Sequence, residues 1–306
     1  DPEMSRGLGD VYKRQDDEYT KIENDLHTYT SVYRNGTEHK DTWVADNNNT
    51  GWFTESEYYA QKKTMLKSVY QNGGFYVGRY ETGIDASKQK QRIFNANSEK
   101  LTIHDVTQTP VIKANAYPYT WVNRTQAQVL AKNMNSGTKT SSLMFGVQWN
   151  LVLAFMHNKG NIADSTLTSN STTIGNYYNS TFDLNRGKYA QYNKLGNPWN
   201  NFDSALGSIV VSNETTGKMK KTEQSSYSNG ILLTTGGTER SNVMNIYDIA
   251  GNVSEWTLEK ASRTSDLCDF RGGNFTDAGS SIAAASRHRG SADGSDSTLG
   301  FRVSLF

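Results

Sequence analysis

The stretch Asn245-Ile-Tyr-Asp-Ile-Ala-Gly-Asn-Val-Ser-Glu-Trp-Thr257 decides how this chain is read. Two carboxylates, Asp248 and Glu255, flank a turn at Gly251, so side-chain and main-chain oxygens can converge on one point. Hard oxygen ligands on a tight turn are what Ca2+ selects, needing about six to eight oxygens at about 2.3–2.6 Å. The same residues also fit a capped turn in which Asp248 and Glu255 accept backbone N–H bonds. Two further blocks follow. In Phe270-Arg-Gly-Gly-Asn-Phe275 the paired glycines permit a bulge or a close backbone approach, and Phe275 can fill a core. Gly300-Phe-Arg-Val303 reads as a final strand, with Phe301 and Val303 facing away from Arg302.

In this order and spacing the three blocks resemble the signature of the formylglycine-generating enzyme (sulfatase-modifying factor) family. The resemblance implies an α+β chain with a C-type lectin-like fold: a small antiparallel sheet, two packed helices and many long loops. It also implies a structural Ca2+ held by the residue matching Asp248, the carbonyls of Gly251 and Val253, and the Glu255 carboxylate. Ser254 stands where most members have Trp, which removes packing but not a ligand. The family's active copper oxidases carry two cysteines shortly after the Arg-Gly-Gly block, where this chain reads Thr276-Asp-Ala-Gly-Ser-Ser-Ile282. Asp277 and Ile282 match those positions. Cu(I) selects sulfur ligands, and Ile282 binds no metal, so neither copper nor oxidase activity is expected.

At 306 residues the chain fits one large domain or two small ones. A hydrophobic fraction of 35% is low, yet 11% of residues are aromatic, so Tyr, Phe and Trp must supply much of the buried area. The mean hydropathy of −0.71 agrees with a loop-rich protein. A net charge of +1, from 32 basic and 31 acidic residues mixed along the chain, points to neither nucleic acid nor an anionic membrane as partner. The short run Lys218-Met-Lys-Lys-Thr222 reads as a solvated loop rather than a phosphate site. One cysteine, Cys268, excludes an internal disulfide framework and any multi-thiolate cluster; it reads as a small core residue or an exposed thiol. No apolar run reaches the roughly 18 residues of a membrane span.

Residues 1–15 resemble translated sequencing-adapter fragments found at the ends of proteins from metagenomic contigs, which implies that the native N-terminus and any export signal are missing. Residues 16–72 read as an N-terminal extension, polar as far as Asp46-Asn-Asn-Asn-Thr50 and then carrying a lead-in helix. That helix runs from Glu55 to Tyr70, with Tyr58, Met65, Leu66 and Val69 at helical spacing and a stop at Asn72-Gly-Gly74. The domain proper is expected over 73–306. It opens on an aromatic strand, Phe75 to Thr82, which also looks like the family's first strand. Helices are predicted at Thr125–Met134, from Ala127, Leu130, Ala131 and Met134, and around Trp149, Val152, Leu153 and Met156, ending near Gly160. From Ser165 to Gly237 the abundance of Asn, Ser, Thr and Gly predicts long loops with little regular structure.

Two functions compete. The first is a non-catalytic binding module, extracytoplasmic and carried on a cell surface or a virion, with a protein or glycan ligand. Its contacts would come from the segment 274–299, through Thr276, Asp277, Ser280, Ser281, Arg287, His288, Arg289 and Asp293. The variable receptor proteins of diversity-generating retroelements share the fold and diversify this stretch by turning Asn codons into Ser, Asp, Gly, Thr, Ala or Ile. Residues 274–299 are made largely from that set, as a plain flexible loop would also be. The second is a sulfatase-modifying-factor-like enzyme, or a substrate-binding accessory domain of a non-haem iron enzyme. Five histidines form no His-x-x-x-His pair and no carboxylate facial triad along the sequence, and no nucleophile elbow or phosphate loop is present.

Overall fold

Among the described residues, three of the five α-helices rest on signals visible in the sequence, and one has its cap supplied from a distant segment. The computed structural model describes residues 8–34, 40–85, 108–135, 137–192, 199–213, 217–261 and 267–306; for 8–17 only the backbone is described. The helices are α1 (Leu8–Tyr29), α2 (Glu55–Asn72), α3 (Arg124–Lys132), α4 (Gly146–Gly160) and α5 (Asp164–Thr168). In α2 the Thr54 hydroxyl accepts the Glu57 N–H, the Glu57 carboxylate accepts the Thr54 N–H, and Gly73 at φ 76° closes the helix. Tyr58, Met65 and Leu66 are buried from this helix, as its spacing predicted. Asn123 and Gln126 form the same reciprocal cap at α3, which buries Ala127 and Ala131.

Helix α4 begins at Phe145-Gly146, where no neighbouring Ser, Thr, Asp or Asn caps it. Asp41 does so from 105 residues earlier in the chain: its carboxylate accepts the Gly146 N–H at 2.6 Å and the Val147 N–H at 2.9 Å. A carboxylate on these free N–H groups also complements the positive end of the helix dipole.

Among the described residues the strands form five small sheets. The largest has the order Arg287–Gly290, Cys268–Arg271, Ser254–Lys260, Leu299–Phe301; its last pair is parallel and the others antiparallel. Past Arg302 the chain enters a second sheet, where Val303–Leu305 lies between Tyr76–Val77 and Ser141–Leu143. The predicted strand at 75–82 is therefore shorter: only Tyr76–Val77 pairs there, and Gly83–Ile84 joins another sheet. The main core gathers Tyr58, Met65, Phe145, Trp256, Leu258 and Phe301.

Three expectations change. The middle of the chain holds two three-stranded sheets, one of Phe182–Leu184, Lys218–Lys221 and Val210–Asn213, the other of Ile231–Leu233, Lys188–Gln191 and Asn200–Asn201. Their inward residues, among them Phe182, Leu184, Tyr189, Val210 and Ile231, make a core cluster of their own. Each strand contributes too few apolar residues for periodicity to show. The basic run is the central strand of the first of these sheets. Met219 and Lys221 are buried, and the Lys221 ammonium donates to the carbonyls of Ser180 (2.6 Å), Tyr178 (2.9 Å) and Thr222 (3.3 Å). The extension also buries more than its polarity suggests. Tyr33 is in the core, Trp43, Trp52 and Phe53 pack against it, and Trp52 lies 3.8 Å from the buried Arg124 guanidinium.

Candidate functional site

The turn from 245 to 257 is held by side chains because its backbone cannot hold itself. Asn245, Asp248, Gly251 and Asn252 all have positive φ, a region costly for residues with a side chain. At Gly251 a Cβ would stand 2.3 Å from the Asn176 carbonyl oxygen, so no other residue fits. The Asp248 carboxylate accepts the Ser241 hydroxyl at 2.6 Å and the Gly236 N–H at 2.7 Å. Asn252 bonds Asn176, Leu233 and Glu81. Glu255 forms a buried bidentate pair with Arg302, whose guanidinium also donates to the carbonyls of Gly78 and Tyr247.

All four carboxylate oxygens of Asp248 and Glu255 thus accept bonds from protein donors, and a guanidinium lies where the Glu255 oxygens would meet a cation. With these pairings in place, Ca2+ binding by Asp248 and Glu255 together with Gly251 and Val253 would have to displace Arg302. Beside them Glu81 is fully buried, and its carboxyl is pushed well above the usual range by burial and by the Asp248 and Glu255 charges.

The segment 274–299 is anchored rather than loose. Phe275, Gly279 and Ala283 to Ala285 are buried, and the Ala285 N–H reaches the Leu167 carbonyl at 2.8 Å. Between these anchors the polar side chains fall into distinct neighbourhoods. Thr276 and Asp277 close on Asn274: the Asp277 carboxylate accepts the Asn274 N–H (2.9 Å) and Nδ2 (2.8 Å), and Asn274 Oδ1 accepts from Thr276. Ser280 and Ser281 are exposed on the same turn, next to Asn179. On the edge strand, His288 stacks on Phe270 with ring centres 5.7 Å apart, and Arg289 is exposed. Asp293 faces the extension, accepting from Asn49 at 2.6 Å and Asn48 at 3.2 Å.

Arg287 differs from the other seven. Its side chain is only 3% exposed and pairs with Glu259, which also pairs with Arg271. Arg287 further donates to the carbonyls of Tyr33 and Arg34, tying the extension to the sheet. Burial pushes Glu259 up, but the two guanidiniums prevail and hold its carboxyl down at about 2.

A family model for the sulfatase-modifying factor enzyme 1-like domain matches residues 56–305. This chain belongs to that family. Its fold is the formylglycine-generating enzyme variant of the C-type lectin fold. Among solved structures, a crystal structure of CarF is 15% identical with a TM-score of 0.36, over 60% of this chain and 66% of that chain. No curated protein matches.

Against this sulfatase-modifying factor frame, Asp277 is bound up in its own turn, and Ile282 packs against Gly273. Cys268 is fully buried in the core, and burial pushes its thiol up to about 11. A thiol in that state is neither a good nucleophile nor a ready metal ligand.

One grouping was not read from the sequence. Glu23 and His27 on α1 and Asp41 on the following loop each offer a ligand atom, all within 4.8 Å of one another. They line a polar cleft of about 680 Å³. Glu23-x-x-x-His27 is a spacing that places both side chains on one helix face, but nothing local indicates that Asp41 returns to them. Burial and the Glu259 and Glu23 charges push Asp41 up to about 6. His39 and His104 lie outside the described residues.

Proposed function

We propose that this family member is a non-catalytic, extracytoplasmic or virion-borne domain that binds a protein or glycan partner through the segment 274–299. The observation that carries the reading is the combination of fixed backbone and exposed side chains there. Buried Phe275, Gly279 and Ala283 to Ala285 hold the segment, while Ser280 and Ser281 stand exposed between them and Arg289 further along; Asp293, also exposed, is engaged by Asn48 and Asn49. Binding sites built on a rigid scaffold lose little entropy when they engage a partner. Thr276 and Asp277 shape the first turn, His288 lends a half-buried ring, and Arg287 supports the edge strand from beneath. The exposed Ser280, Ser281 and Arg289 can be exchanged on this scaffold without disturbing the core, which suits the diversified-receptor version of the reading. Copper chemistry finds no support, because the two matching positions are Asp277 and Ile282 and the single thiol is buried.

The test is a glycan-array and surface-protein screen with the intact chain, followed by Ser280→Arg, Ser281→Arg and Arg289→Ala. Binding that falls at least tenfold in these variants, with unchanged melting, supports the proposal. A ligand whose affinity ignores all three overturns the placement. Copper-dependent oxidation of a cysteine peptide by the purified chain overturns the non-catalytic reading. A reverse transcriptase and a template repeat of the 3′ end beside the source gene would establish the diversified-receptor version.

A further inference from the structure

We propose that the cleft between α1, α2 and the loop at 40–42 is a binding site for a divalent transition-metal ion of the zinc type, with Glu23, His27 and Asp41 as ligands. Zinc takes carboxylate oxygen and imidazole nitrogen at about 2.0–2.2 Å, so two ligands of one ion lie at most about 4.4 Å apart. The three ligand atoms already lie within 4.8 Å of one another, and a shift of a few tenths of an ångström closes them on one ion. One imidazole with two carboxylates selects a borderline cation over Ca2+ or Mg2+, which prefer oxygen alone.

Three further observations support the site. Asp41 is pre-oriented by the Gly146 and Val147 N–H groups at 2.6 and 2.9 Å, the kind of outer-shell support that fixes a metal-binding carboxylate. The His27 Nδ1 atom is buried and has no hydrogen-bond partner, an unusual state for a ring nitrogen in a polar cleft. Its Nε2 atom lies 3.5 Å from a Glu23 oxygen, so the ring is already aimed into the cluster. Among the described residues the cleft is polar, lined also by Asn24, Thr28 and Lys40, with space for a water beside the ion.

Lys62 sets the competition. Its ammonium lies 2.9 and 3.0 Å from the Glu23 oxygens and 2.9 Å from the Asp41 carbonyl, serving as the counter-charge when no ion is bound. Metal entry has to swing it aside, and removing it should tighten binding. The bound ion would tie α1 to the start of α4 through Asp41, joining the extension to the domain. This site is remote in sequence from the turn at 245–257 and from the segment 274–299, and it stands or falls independently of the binding proposal.

The test is calorimetric titration of the intact chain with Zn2+ alone at neutral pH. One ion per chain with micromolar or tighter affinity is expected. His27→Ala and Glu23→Gln should each weaken it at least tenfold, Lys62→Met should tighten it several-fold, and His157→Ala should leave it unchanged. Circular dichroism of each variant checks the fold. Should His27→Ala unfold, Co2+ added to the unaltered chain gives an independent readout, a visible absorption band of a nitrogen–oxygen site that added Zn2+ abolishes. No stoichiometric binding, affinity indifferent to His27, or a Co2+ spectrum that Zn2+ leaves in place would each overturn the proposal.

Discussion

At the scale of single residues, the buried charges decide most of what can be tested. Glu255 and Arg302 are each 1% exposed and pair bidentately, so removing one leaves the other charged and dry. Arg302→Ala or Glu255→Ala should cost about 3–5 kcal/mol in denaturant unfolding. The same substitutions address calcium: with the ion pair in place, a chelator should leave the melting temperature unchanged, whereas an ion bound at 100 times its Kd would add about 2.7 kcal/mol. Glu259, held down at about 2 by Arg271 and Arg287, titrates well below its unfolded value of 4.5. Its stabilisation is therefore complete above pH 4.5 and is lost as pH falls towards 2. Glu259→Gln should flatten that acid limb in pH-dependent melts while lowering stability at neutral pH.

Glu81 titrates in the opposite sense. Its folded-state carboxyl is pushed up by burial and by neighbouring carboxylates, so its contribution is present at low pH and declines as pH rises above about 4.5. Glu81→Gln keeps the shape and removes the ionisation. A gain in stability at neutral pH, with a shallower pH dependence above about 4.5, is the expected result; a loss at every pH would show that the carboxyl itself is needed.

At the scale of elements, the caps separate what is local from what is not. Thr54 and Glu57 are three residues apart and cap α2, a pattern readable from sequence, and Thr54→Ala should cost about 1 kcal/mol. The α4 cap comes from Asp41, 105 residues away from Gly146. Asp41→Ala should cost at least as much as Thr54→Ala, because it also leaves two buried N–H groups unpaired. Comparing the two variants in one urea titration measures the difference. Helices α2, α3 and α4 were legible because each shows apolar residues one turn apart. The middle sheets were not, because strands of two to four residues carry too few positions for a period to show.

At the scale of the whole molecule, the extension is part of the fold. Tyr33, Trp43, Trp52 and Phe53 pack into or against the domain's cores, and Arg287 grips the Tyr33 and Arg34 carbonyls. A chain starting at Glu55 should therefore lose cooperative thermal unfolding or aggregate, although the family match begins at residue 56; a truncated chain that melts as sharply as the intact one would contradict this. By itself the sequence determined the family, since the blocks at 245–257 and 270–275 carry Gly251, Asn252, Gly272 and Gly273 for backbone shapes few other residues permit, and Glu255 and Arg302 supply a buried ion pair between the first block and 300–303. It also determined the absence of a thiolate pair after Arg271. Only the tertiary structure decided that Arg287 lies in a buried ion network, that Lys221 is a core residue, and that Glu23, His27 and Asp41 meet. Spacing along a chain reports neighbours within a turn or a pleat; contacts between distant segments arise from packing, which leaves no local mark.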